Sequence, residues 1–180
     1  MSRVNIFTEN LPEASQPILA QIKEVFGTTP NMFKVVANSP AALESMWGSF
    51  GALGGGVLGP KLGEQIAVAI ANRNLCEYCL AAHTVLGKNA GVSEKDISEA
   101  QVGRSTDAKT AAALSFVLKV VSDRAQITAD NVRALHDVGF TDGEVVEIMA
   151  HIALNLFTNY INVALEVPVD FPAVALLPVA

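Results

Sequence analysis

Charge is scarce in this sequence. Asp, Glu, Lys and Arg make up 17% of the 180 residues, where an ordinary soluble domain carries about 25%. The 12 basic residues form no cluster and are outnumbered by 18 acidic ones, leaving a net charge of −6. Without a basic footprint, nucleic acid is excluded as the natural partner. Long apolar runs are missing as well. No stretch of about 18 uninterrupted apolar residues occurs, and no charged segment, short apolar segment and cleavage site open the chain. A cytoplasmic protein with no membrane partner is therefore expected. Cysteine is nearly absent, with Cys76 and Cys79 the only two. That excludes a disulfide framework, and in a reducing compartment one close pair is better explained by chemistry than by scaffolding.

Hydrophobic residues, by contrast, reach 51%. A chain of this length forms one compact domain with a sizeable core, yet so much apolar surface exceeds what one small domain buries, and a homo-oligomer is expected. The apolar spacing is helical almost throughout, which predicts an all-α fold. Helices are expected over about residues 17–26, 32–37, 40–53, 93–100, 107–124, 129–138 and 142–164, with Gly27 and Gly139 as stops and Ser93, Thr128 and Thr141 as caps. Leu43, Met46, Trp47 and Phe50 share one helix face, either as core or as apolar walls of a pocket. Gly54-Gly55-Gly56 lacks the Lys-Ser/Thr of a phosphate loop and follows no strand, so it reads as a hinge. Residues 1–13 read as an extended arm. The apolar, proline-broken tail 167–180 cannot be helical and is expected to lie across its own subunit or a neighbour.

Residues 64–83, EQIAVAIANRNLCEYCLAAH, concentrate the chemistry. Cys76, Cys79 and His83 stand at i, i+3 and i+7, within an arc of roughly 60° on one helix face. Glu64, twelve residues before Cys76, would lie roughly 18 Å from it on an unbroken helix. Asn72-Arg73-Asn74 favour a break, however. If the chain reverses there, Glu64 comes beside His83 with Cys79 one turn along, and carboxylate, imidazole and thiol form a proton relay in which His83 takes the proton of Cys79. At a helix start, the unpaired N–H groups favour the thiolate of Cys76. Once one sulfur is oxidised to sulfenic acid, the other can attack it and expel water. Two cysteines and a histidine offer zinc three ligands, but no nearby fourth is evident, and one crowded helix face fits tetrahedral geometry poorly. Neither a metal nor an organic cofactor is expected.

The pattern Glu64, eleven residues, Cys76-Glu77-Tyr78-Cys79, three residues, His83 resembles the AhpD-like alkylhydroperoxidase branch of the carboxymuconolactone decarboxylase superfamily. Pro30-Asn31-Met32-Phe33, Ser39-Pro40, Leu62-Gly63-Glu64 and the segment 147–162 extend the resemblance over most of the chain, toward the peroxidase-related subgroup. The resemblance implies an all-helical, homo-oligomeric protein, trimer or hexamer, whose dithiol reduces organic hydroperoxides or passes electrons to a peroxiredoxin. It also implies Cys79 as the sulfur that attacks peroxide, Cys76 as its disulfide partner, Glu64 and His83 as the relay, and an external dithiol or protein as reductant. Tyr78 departs from AhpD proper, which has a histidine there. Two other functions suit the same residues: a decarboxylase-type acid/base enzyme that needs no sulfur, and a redox sensor that is not an enzyme.

The expected helix 142–164 carries a polar stripe, Glu147, His151, Asn155, Asn159 and Asn162, continued by Glu166. It suits a solvated face, a seam between subunits, or a pocket wall. Glu147, Asn155, Asn159 and Asn162 also repeat the offsets of Glu64, Asn72, Cys76 and Cys79, which suggests an internal duplication.

Overall fold

The computed structural model describes residues 2–6 and 11–178. Among them are a 3-10 turn at Glu13–Ser15 and nine helices: α1 Gln16–Phe26, α2 Asn31–Val36, α3 Pro40–Gly54, α4 Gly59–Arg73, α5 Glu77–Asn89, α6 Glu94–Gln101, α7 Ala108–Ser122, α8 Ala129–Asp137 and α9 Asp142–Ala164. No strand occurs among the described residues. The fold is all-α and forms a single domain, as the periodicity predicts. The helix ends fall where local chemistry puts them. Ser39, Ser93 and Asp107 accept from first-turn N–H groups of α3, α6 and α7, and Thr141 and Glu144 form a reciprocal box at the start of α9. Each supplies an acceptor to an N–H that has no partner within its own helix.

The hub is α4, which packs against α5, α6, α7 and α9. Every residue from Gln65 to Asn72 is buried, so this helix is apolar all round rather than striped. The Gly-rich stretch before it has a more specific use than a hinge. Glu147 of α9 accepts from the N–H groups of Val57 and Leu58 at 3.0 and 2.9 Å, placing a carboxylate at the positive end of α4. A side chain at Gly56 would collide with that carboxylate.

The tail from Val167 to Pro178 is extended and lies across its own chain. Asp170 accepts from Asn31 N–H at 2.7 Å, and the Asn72 side chain exchanges two hydrogen bonds with the Leu177 backbone, 3.0 and 2.9 Å. Of the expected N-terminal arm, residues 1 and 7–10 lie outside the described residues. Residues 2–6 are non-helical, and Arg3 N–H donates to Leu165 O at 2.8 Å. The polar stripe of α9 is not a solvated face at its C-terminal end: Asn155, Asn159 and Asn162 are all buried.

Candidate active site

The reversal between α4 and α5 is made by three residues. Leu75 adopts a left-handed conformation (φ 55°), Cys76 N–H donates to Ala71 O at 2.9 Å, and α5 starts at Glu77. The two antiparallel helices bring Glu64 and His83 together: His83 Nδ1 and Glu64 Oε2 are 2.8 Å apart. A carboxylate accepts, which keeps the hydrogen on Nδ1 and leaves Nε2 as the basic nitrogen. His83 is buried while Glu64 is half-buried.

Cys76 is the N-cap of α5 rather than a residue within it, and its Sγ accepts from Cys79 N–H at 3.2 Å. Both cysteines are free thiols and buried. Their ionisation is divided. The Cys79 side chain donates to Cys76 and holds the Cys76 thiol below its ordinary value, with the Cys79 and Tyr78 N–H groups adding to the effect against a cost of burial. Burial first, then the neighbouring Cys76 sulfur, pushes the Cys79 thiol well up. Of the two sulfurs, Cys76 is therefore the more readily ionised and Cys79 the one that holds its proton. Asn162 of α9 approaches from the other side, its Nδ2 being 3.2 Å from Cys79 Sγ and 3.3 Å from Met32 Sδ.

Cys79 and His83 are not hydrogen-bonded to each other; among the described residues no such bond exists, and the two groups stand one helical turn apart on the wall of a shared cavity. This cavity has a volume of about 360 Å³. Its polar lining is limited to Glu64, His83, Tyr78, Cys79 and Thr158, and the rest is apolar, including Phe26, Phe33, Trp47, Phe50 and Phe171. Cys76 does not line it. The α3 face expected to be core or pocket wall is divided between the two: Leu43 and Met46 are fully buried, whereas Trp47 and Phe50 face the cavity. Tyr78 accepts from Met32 N–H at 3.2 Å and packs edge-on against Phe171, ring centroids 5.6 Å apart. Burial, above all, raises its hydroxyl beyond any working pH, so Tyr78 is a neutral wall residue.

The sequence profile of the carboxymuconolactone decarboxylase family matches residues 40–123, which hold Glu64, Cys76, Cys79 and His83. The matched segment, just under half of the chain, is similar to the carboxymuconolactone decarboxylase family. Solved structures share the fold over nearly the whole chain. A peroxidase-related protein from Silicibacter sp. TM1040 is 22% identical with a TM-score of 0.81, covering 97% of this chain and 92% of that one. An alkylhydroperoxidase AhpD core protein from Ralstonia eutropha JMP134, also peroxidase-related, is 23% identical with a TM-score of 0.84, covering 94% and 92%. The debrominase Bmp8 is 19% identical with a TM-score of 0.75, covering 92% and 94%. No curated protein sequence matches the chain significantly.

Within this fold, the four residues singled out from the sequence come from one hairpin and two of them pair directly. The residue that sequence reasoning did not assign to the site is Asn162, which reaches Cys79 from α9. A signal was available: Asn162 stands at the offset from Glu147 that Cys79 has from Glu64. Among the described residues no helix is long and apolar enough to cross a membrane, and no group of three or more His, Cys, Asp or Glu side chains is placed to hold a metal ion.

Proposed function

We propose that this protein is a thiol peroxidase of AhpD-like type that reduces organic hydroperoxides through Cys76 and Cys79, with Glu64 and His83 as its proton relay and no metal or organic cofactor. The observation that carries the reading is the shared cavity, which gives an alkyl tail apolar walls and sets a sulfur and an acid–imidazole pair at one end. The peroxide oxygens occupy the space between Cys79 and His83, a gap that closes only when substrate is bound. His83 takes the Cys79 proton. The thiolate attacks the outer peroxide oxygen, the O–O bond breaks, and the departing alkoxide receives the proton back from His83 as an alcohol. Cys79 is then a sulfenic acid. Cys76 thiolate attacks its sulfur, hydroxide leaves and is protonated to water, and the two sulfurs form a disulfide. An external dithiol or protein thiol returns the pair to the reduced state by exchange.

Steady-state consumption of cumene and tert-butyl hydroperoxide in the presence of dihydrolipoamide or dithiothreitol tests this. Turnover that disappears in both Cys76→Ser and Cys79→Ser supports it. Turnover that survives in the double variant overturns it in favour of sulfur-independent acid/base chemistry, and an oxidation-dependent change of assembly without peroxide consumption favours a sensor. Exposed apolar side chains at Leu75, Val146, Tyr160 and Val163 support self-association into a trimer or hexamer, which native mass measures.

The aromatic walls of the cavity favour one second reading, reductive dehalogenation of a flat haloaromatic. Here the dithiol supplies two electrons, the carbon–halogen bond is replaced by carbon–hydrogen, and halide leaves as the disulfide forms. Bromide release from a bromopyrrole under the same reductants distinguishes it.

A further inference from the structure

A second cavity lies behind Glu64. Its volume is about 160 Å³, and Glu64, His83, His151 and Asn155 line it together with Phe50, Gly59 and Gly63. The exposed residues Gly54, Gly59 and Pro60 form its rim. Glu64 and His83 thus stand as a partition between an apolar chamber on the Cys79 side and a more polar one that meets solvent. We propose that His151 and this second cavity form a proton entry to the Glu64–His83 pair, separate from the chamber that takes the hydroperoxide. The proposal rests on the peroxidase reading and extends it.

The reaction delivers protons first to the departing alkoxide and then to the departing hydroxide. Whenever Cys76 starts as thiolate, one hydroperoxide plus the pair gives alcohol, water and disulfide only if one further proton arrives from outside. The large chamber is the poorer route, because its walls are mostly apolar. The second chamber can hold a few waters at roughly 30 Å³ each, and it reaches the acid–imidazole pair from the opposite side.

His151 has the attributes of a carrier. Its Nε2 is buried and has no hydrogen-bond partner among the described residues, an arrangement that packing alone leaves unexplained. Its ring lies against Gly63, where a Cβ would come within 3.2 Å of Cε1. The charged and titratable groups that face it are Glu147 of its own helix, Glu64 of α4 and His83 of α5; α3 contributes only Phe50, Leu53 and Gly54 to this cavity. Glu147 is committed to the Val57 and Leu58 N–H groups, so Glu64 is the acceptor left available. Burial lowers the imidazole's proton affinity, against the attraction of the two carboxylates, so the ring readily passes on a proton it receives. His151 touches no reacting atom and acts through Glu64 and His83 as a positioning residue for protons.

The test is disulfide formation in a single turnover with cumene hydroperoxide, followed from pH 6 to 9 in wild type, His151→Phe and His151→Gln. Both variants are expected to be slower by about tenfold or more at the alkaline end, with the deficit shrinking toward pH 6 where bulk protons are plentiful. Added imidazole should restore the rate, and the half-saturating hydroperoxide concentration should stay within about twofold. In weak buffer with an indicator dye, at a pH where thiolate absorbance shows Cys76 ionised, wild type should take up one proton per disulfide formed. That readout needs no variant to fold. Wild-type pH profiles in both variants, a pH-independent deficit that imidazole does not restore, or no proton uptake would overturn the inference alone. A wild-type protein that forms no disulfide with any hydroperoxide would overturn the peroxidase reading and this inference with it.

Discussion

The side-chain nitrogen of Asn162 stands 3.2 Å from the sulfur of Cys79, although the two residues are 83 positions apart. A fixed N–H donor at a buried sulfur favours the thiolate as it forms, and burial leaves that thiolate little other solvation. Asn162→Ala is expected to slow hydroperoxide-driven disulfide formation by about tenfold or more, a loss in the range of about 1.5–3 kcal/mol for a hydrogen bond to a charged group. Stopped-flow oxidation, with circular dichroism to confirm the fold, measures it. Equal rates would remove Asn162 from the site.

The division of ionisation between the two sulfurs is directly observable. Cys76 is held below the ordinary thiol range by the Cys79 side chain first of all, so thiolate absorbance should rise at a lower pH than for an ordinary thiol. Its pKa should move upward in Cys79→Ala, which removes the donor, and the low step should vanish in Cys76→Ser. A low step that persists in Cys76→Ser would assign the thiolate to the other sulfur.

Glu64 and His83 form a pair at 2.8 Å, and the proposed relay puts its use in the reaction rather than in stability. Glu64→Gln keeps the shape but weakens the hold on the imidazole, and His83→Ala removes the base. Both are expected to slow oxidation by roughly 10²-fold with little change in melting temperature. A Glu64→Gln variant that oxidises at the wild-type rate would reduce the pair to a structural contact.

The tail is an integral part of the domain. Its removal in a chain ending at Glu166 strips Phe171 from Tyr78 and leaves the buried Asn72 side chain without its Leu177 partners. An unpaired buried amide costs about 1–3 kcal/mol, and the aromatic pair adds about 0.5–1.5 kcal/mol. A clear drop in melting temperature is expected. Unchanged melting would show that the tail merely rests on the surface.

Much of this was legible in the sequence because its signals are local. The start of α9 follows from Thr141 and Glu144 closing its first turn, and the α4–α5 reversal, expected at Asn72-Arg73-Asn74, comes slightly later, with α4 running through Arg73 and the turn made by Asn74, Leu75 and Cys76. The pairing of Glu64 with His83 follows from the hairpin midpoint. What the sequence concealed depends on long-range packing. A polar stripe on α9 has the same pattern whether it meets water or another helix, so nothing local announces that Asn162 reaches Cys79. The spacing of Cys76 and Cys79 likewise does not reveal that only Cys79 borders the large cavity, since that depends on Phe171 and Trp47 arriving from distant parts of the chain. The Gly54-Gly55-Gly56 stretch read as a hinge because the carboxylate it accommodates comes from Glu147, far along the chain.

The measurement that bears most directly on the mechanism is mass spectrometry of the reduced protein quenched after one equivalent of cumene hydroperoxide, with the cysteines then mapped. The expected result is the loss of two hydrogens and a peptide-level link between Cys76 and Cys79, formed as the alcohol appears. Unchanged thiols after the peroxide is consumed, or consumption that continues when both cysteines are serine, would contradict a dithiol mechanism.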